Sequence, residues 1–282
     1  MNRRLLGALA GLGVVLVTSV AAAQESRSIL VTLAKPLESV AASEFEVRVG
    51  NQPAQVTRVY QPEERPLRLA LLIDDSAGPT LTQNLSELRQ FIDGLPAGAR
   101  VMVAYKRGGA LQIEQPFTTD RAAAVGALHL PAQAGGGGDL AGSIVELLEY
   151  FPPGLPERGQ ILYLGEGDSL SGQTYHDPSL NRALPRIQER GVVVWVLHVG
   201  SSTGEIGHVD QQAYLQRLAS ETGGQALALG LHPPSLLPYL KELREYFDRQ
   251  YGVEFQPPPG SAGKKLQVKL SGGRPRLFHA AQ

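Results

Sequence analysis

Leu67-Arg-Leu-Ala-Leu-Leu-Ile-Asp-Asp-Ser-Ala-Gly78 decides the fold. A short apolar run ends abruptly in two carboxylates, a hydroxyl and a glycine. The run is too short for a free-standing helix and carries turn chemistry at its end, so it reads as a buried strand. That strand delivers Asp74, Asp75 and Ser76 to one edge of a sheet, the edge at which open α/β folds hold their ligands. Carboxylate and hydroxyl oxygens gathered there suit a hard divalent cation such as Mg²⁺ or Mn²⁺.

Working outward, strand and helix patterns alternate. Leu81, Leu85, Leu88, Phe91, Ile92 and Leu95 keep helical spacing and stop at Pro96 and Gly98. Val101 to Tyr105 is a strand, and Leu111 to Phe117, after Gly108-Gly109, is its antiparallel edge partner. Ala122 to Leu130 is a short helix. The glycine run 135 to 138 leads into Leu140, Ile144, Leu147, Leu148 and Phe151, a helix ended by Pro152-Pro153. Ile161 to Leu164 is a strand closed by Gly165-Glu166-Gly167. Pro178 to Arg190 is a helix capped by Gly191. Val192 to Val199 is apolar nearly throughout, as expected of an interior parallel strand, with Trp195 in the core and His198 packed rather than ligating. A helix around Tyr214, Leu215 and Leu218, a strand over Gln225 to Leu229 and a long amphipathic helix over Ser235 to Tyr251 complete the series.

This alternation predicts an α/β fold: a mostly parallel central sheet with helices on both faces. Flanking it are β patterns at both ends. Ile29 to Leu33, Phe45 to Val49 and Ala54 to Tyr60 precede it, the last two forming a hairpin about Gly50-Asn51. Val253 to Phe255 and Leu266 to Leu270 follow it and read as a terminal pair of strands. The N- and C-terminal segments are expected to pair into a small β layer. The division is therefore 1–23 leader, 24–64 N-terminal β segment, 65–251 α/β domain and 252–282 C-terminal β segment.

The chain has 282 residues, of which 43% are hydrophobic and 19% charged, enough for one sizeable core with an added layer. Arg3 and Arg4, the apolar stretch Leu5 to Val20 and Ala21-Ala22-Ala23 have the layout of a cleavable secretory signal. The alternative is an uncleaved membrane anchor, against which stands a stretch shorter than the roughly 20 residues a spanning helix needs. Export to the periplasm or beyond, with no stable membrane span after cleavage, is the expectation. The sequence contains no cysteine, which excludes disulfides, thiolate metal sites and a lipidated cysteine after the leader. Lys and Arg number 26 against 27 Asp and Glu, and no basic cluster appears, so nucleic acid is not an expected partner.

The order of features resembles the von Willebrand factor A-type fold, and more closely the bacterial VWFA-related family described from Acidobacteria. These features are an acidic strand end at Asp74, a glycine-rich loop before the helix at Leu140 and a second acidic strand end at Glu166. The β segment Phe45-Glu-Val-Arg-Val-Gly50 and the closing Leu243-Arg-Glu-Tyr-Phe-Asp-Arg-Gln-Tyr251 and Leu266-Gln-Val-Lys-Leu270 extend the resemblance to about residues 28–280. It implies a protein- or peptide-binding module of adhesion or scaffold type with no catalysis of its own. It also implies a metal ion-dependent adhesion site, here degenerate. Asp74 and Ser76 match the Asp-x-Ser-x-Ser strand end, Gly78 replaces its second serine, Gly138 replaces a loop threonine, and Glu166 replaces an aspartate. Asp74, Ser76 and Glu166 are thereby the implied metal ligands. Asp75 and Asp139 complete the expected ligand-binding edge as nearby carboxylates outside the family's ligand positions.

One motif points elsewhere. Gly167-Asp168-Ser169-Leu170 spells the nucleophile block of GDSL-type hydrolases, which makes Ser169 the nucleophile of a rival enzymatic reading. The Asp-x-x-His block that class carries near its C-terminus does not occur after Ser169. A purely structural envelope component is the third alternative.

Overall fold

The computed structural model describes residues 26–37, 40–131, 138–154, 156–167, 177–199, 205–230, 233–261, 263–272 and 276–281. The leader, most of the glycine run and Ser169 lie outside them. In chain order the elements are β1 (Arg27–Leu33), β2 (Phe45–Val49), β3 (Gln52–Tyr60), β4 (Leu67–Asp74), α1 (Gly78–Asp93), β5 (Arg100–Arg107), β6 (Ala110–Thr118), α2 (Arg121–Gly126), α3 (Leu140–Leu147), β7 (Arg158–Gly165), α4 (Pro178–Glu189), β8 (Val193–Val199), α5 (Glu205–Thr222), β9 (Ala226–Gly230), α6 (Leu237–Phe247), β10 (Gln250–Gln256), β11 (Leu266–Leu270) and β12 (Leu277–His279).

Every residue of β4 except Arg68 is buried, because both faces of its sheet are covered. The sheet runs β6-β5-β4-β7-β8-β9. Only β5 and β6, joined at Gly108-Gly109, are antiparallel; the other neighbours are parallel. One face packs Leu69, Leu71 and Ile73 under α1 and α6, and the opposite face packs Ala70 and Leu72 under α3, α4 and α5.

The terminal segments form more than the expected small layer. They build a second six-stranded sheet, antiparallel throughout, in the order β11-β2-β3-β10-β1-β12. Alternate residues Ile29, Val31, Leu33, Phe45, Val47, Val49, Val253, Phe255 and Val268 enclose a core of their own. β10 and β11 do not pair with each other: β10 lies between β1 and β3, and β11 pairs with β2. The expected helix to Tyr251 stops at Phe247. Tyr251 sits four residues beyond Phe247 and so continues the helical spacing, but it also alternates with Val253 and Phe255, and this second period prevails.

The edge strands of this sheet meet, giving it a barrel-like closure. His279 Nε2 on β12 accepts the Val268 N–H of β11 at 3.3 Å, and Nδ1 lies 2.8 Å from the Ala280 carbonyl, which fixes the neutral Nδ1–H tautomer. Burial pushes this imidazole below its usual 6.5, with Lys265 adding repulsion and the Ala280 carbonyl opposing. The unfolded chain then binds the proton first, so the contribution of His279 to stability is complete above about pH 6.5 and shrinks as the pH falls below it. Melting temperatures at pH 7.5 and pH 5 should differ by less in His279→Gln than in wild type; an equal difference would sever His279 from the acid response.

The two layers are joined by a buried polar chain. Trp195 Nε1 donates to Gln160 Oε1 at 2.7 Å, Gln160 Nε2 donates to Gln250 Oε1 at 2.8 Å, and Gln250 Nε2 reaches Thr32 Oγ1 at 3.2 Å. Arg158, also buried, donates to the Arg65 carbonyl at 2.8 Å and to the Phe247 carbonyl. Its burial lowers the guanidinium to about 10, still charged at neutral pH.

Candidate functional site

The C-terminal ends of β4, β5 and β7 lie side by side because the three strands are parallel and in register. Asp74 pairs with Lys106, and both follow the same side-chain parity as Ala70, Leu72, Met102 and Ala104. The lysine ammonium therefore meets the aspartate carboxylate, with Nζ 2.9 Å from Oδ2. Both groups are almost fully buried, Asp74 at 1% exposure and Lys106 at 2%. Asp74 Oδ1 accepts the Ser76 N–H at 2.9 Å, which closes a 3-10 turn over Asp75–Ala77 and launches α1. Asp74 Oδ2 also accepts the Tyr163 hydroxyl at 3.2 Å.

One further bond ties the end of β4 to the end of β7, and a second closes the turn after β7. Ser76 Oγ accepts the Glu166 N–H at 3.0 Å, and the Tyr163 hydroxyl accepts the Gly167 N–H at 3.0 Å. Gly165 makes room for this arrangement: a Cβ there would fall 2.4 Å from the Tyr163 hydroxyl and 2.5 Å from Asp74 Cβ. Gly165→Ala should therefore cost about 1–3 kcal/mol through overpacking. Urea denaturation measures it, and a cost under about 0.5 kcal/mol would show that the rim yields freely.

The remaining expected edge residues take different places. Gly138 is exposed, with φ +121°, and a Cβ there would lie 2.2 Å from Gly109 Cα, so Gly138 rests against the β5–β6 turn and no threonine fits. Gly78 opens α1 with nothing within 4 Å of where a Cβ would stand, so its missing hydroxyl is not a matter of space. Asp139 caps α3, its Oδ1 accepting the Gly142 N–H at 2.9 Å. Asp75 points to the opposite face, where its Oδ1 stands 3.9 Å from Arg107 Nε, and burial raises its carboxyl against the pull of Arg107.

A divalent ion does not fit at Asp74 while the Lys106 ammonium is in place. Asp74 is buried against an ammonium that already neutralises it, and among the described residues no three His, Cys, Asp or Glu side chains gather as a metal group. Lys106 is not among the residues that the sequence motifs single out.

Beside the rim lies a second polar group outside the expected edge. Arg107 reaches His129 Nε2 at 2.9 Å and Gln112 Oε1 at 2.8 Å, and His129 stacks on Tyr105 with ring centroids 4.3 Å apart. It presents a partly exposed guanidinium at the border of the rim.

The chain is similar to von Willebrand factor A-type domains. A von Willebrand factor type A protein from Catenulispora acidiphila aligns at 14% identity, covering 84% of this chain and 73% of that one, with a TM-score of 0.48. The conserved hypothetical protein BatB from Bacteroides thetaiotaomicron aligns at 15% identity over 64% of this chain and 96% of its own, with a TM-score of 0.46. An aerotolerance-related membrane protein from Bacteroides fragilis gives 16%, 64%, 98% and 0.45 for the same quantities. No protein-family model and no curated protein matches the sequence.

Proposed function

We propose that this chain is an exported, non-catalytic binding module that holds a protein or peptide at the C-terminal rim of its parallel sheet. The observation that carries this reading is the Ser76 Oγ to Glu166 N–H bond, which fixes two loops ninety residues apart in sequence into one surface. Such rims are where open α/β sheets present ligands. At that bond lie half-buried Ser76, Gly78 and Glu166 with exposed Pro79, and exposed Gly138 packs on the β5–β6 turn that follows the neighbouring strand. Short side chains and open backbone of this kind suit the amides of a peptide. Asp74, being buried, braces the loops and does not meet the partner itself. Support for export comes from the leader-like stretch ahead of Gln24.

Gly78→Arg projects a long side chain from open space into the rim and tests the assignment. Immobilised wild type should capture a partner saturably from an envelope extract of the source organism, Gly78→Arg should lose that capture, and Lys269→Glu, on the exposed side of β11, should retain it. Equal capture by wild type and Gly78→Arg overturns the rim. Labelling by a fluorophosphonate that disappears in Ser169→Ala overturns the non-catalytic reading in favour of a serine hydrolase.

A further inference from the structure

A strand end that gathers a carboxylate and hydroxyls creates a demand for positive charge, and here the chain meets that demand itself. Lys106 reaches Asp74 from the neighbouring strand, in register and buried, with the ammonium 2.9 Å from the same oxygen that the Tyr163 hydroxyl contacts. The carboxylate is thus held by a cation, a hydroxyl and a backbone N–H together. A free divalent ion competing for Asp74 would have to share an oxygen with a fixed like charge in a buried site, where such repulsion is strong.

We propose that Lys106 is a tethered replacement for a divalent cation: its ammonium holds the rim in a permanently assembled, chelator-insensitive state, and its removal turns Asp74, Ser76 and Tyr163 into a site that takes up Mn²⁺ or Mg²⁺. The residue differs from an ordinary buried ion-pair partner in this second property. Truncation of a purely structural lysine leaves a destabilised protein that ignores metal. Truncation of a cation surrogate leaves one that metal repairs.

Calorimetric titration with Mn²⁺ and thermal melting with and without Mn²⁺, on the whole chain after treatment with chelator, separate the two. Wild type should give no saturating heat and no shift in melting temperature. Lys106→Ala should bind a single ion, with its melting temperature raised by roughly 5–10 °C at about 100 times the Kd. Adding Asp74→Asn to Lys106→Ala should abolish both effects. Should Lys106→Ala fail to fold in chelator, recovery of a cooperative melt on refolding with Mn²⁺ supports the proposal. Lys106→Gln, which keeps a donor to Asp74 without the charge, supplies a second background for the same titration. Mn²⁺ binding by wild type that Asp74→Asn removes overturns the proposal, as does the absence of Mn²⁺ binding or rescue in both lysine variants. Partner capture plays no part in these readouts, so a failed titration leaves the rim available as a binding surface, and a failed capture leaves the titration standing.

Discussion

Lys106→Met should destabilise the fold by about 3–5 kcal/mol, the cost of leaving a buried carboxylate without its counter-charge. Methionine matches the length of the lysine stem, so the aliphatic packing beside Met102 and Ala104 survives and the change reports chiefly on charge. Asp74→Asn alone should also destabilise: the amide oxygen can keep the Ser76 N–H, but an NH2 group then takes the place of Oδ2, leaving the Tyr163 hydroxyl without that acceptor and a donor against the Lys106 ammonium. The pair Asp74→Asn with Lys106→Met removes both charges and should recover a large part of the loss of Lys106→Met. Urea denaturation of the four proteins closes the cycle, and the coupling energy is the quantity of interest. Additive single effects, each under about 1 kcal/mol, would mean that the two groups reach water and act as an ordinary surface pair. A fold of ordinary stability holds only about 5–15 kcal/mol in total, so the expected loss is a substantial share of it.

Periodicity carried the α/β half of this molecule well, and parity within the strands would have carried it further. The apolar run at Leu67 to Ile73 reads as a doubly covered strand because no polar residue interrupts it after Arg68, and the structure buries it on both faces. The same logic extends to Lys106. Val101 to Tyr105 reads as a strand, but taken one residue further it places Lys106 on the face of Met102 and Ala104, at the end where Asp74 emerges. What the sequence does not contain is the lateral order of the strands, and only β5 lying directly beside β4 brings Lys106 to Asp74. Asp75 and Asp139 are close to Asp74 or Gly138 along the chain, yet Asp75 opens the 3-10 turn and faces Arg107, and Asp139 caps α3. The antiparallel layer was legible as strands but not as a closed sheet. β12 is only three residues long, and β10 directly follows a helix whose apolar spacing runs into it. Pairings between segments some two hundred residues apart, such as Ile29 with Val253, leave no local trace.

Gln160→Leu is expected to be the second costly change, at about 2–4 kcal/mol, because it strands two polar groups at once in a site closed to water. Gln160 is fully buried, accepts the Trp195 indole N–H and donates to Gln250, which in turn reaches Thr32 across the second sheet. A leucine fills the volume but answers neither the indole N–H nor the Gln250 oxygen. The loss corresponds to a melting temperature lower by roughly 5–15 °C for a chain of this size. Trp195 is the only tryptophan, so its fluorescence reports on the α/β layer at the node itself, while far-UV circular dichroism reports on both layers together. In wild type the two signals should share one midpoint. If the Trp195-Gln160-Gln250-Thr32 chain couples the layers, Gln160→Leu should lower the fluorescence midpoint further than the dichroism midpoint, because the antiparallel sheet keeps its own apolar core. Adding Gln250→Leu removes the second stranded amide and should restore part of the stability without restoring coincidence of the two transitions. An unchanged midpoint in Gln160→Leu would mean that apolar contacts between α6, Trp195 and Leu30 hold the layers together without help from the amides.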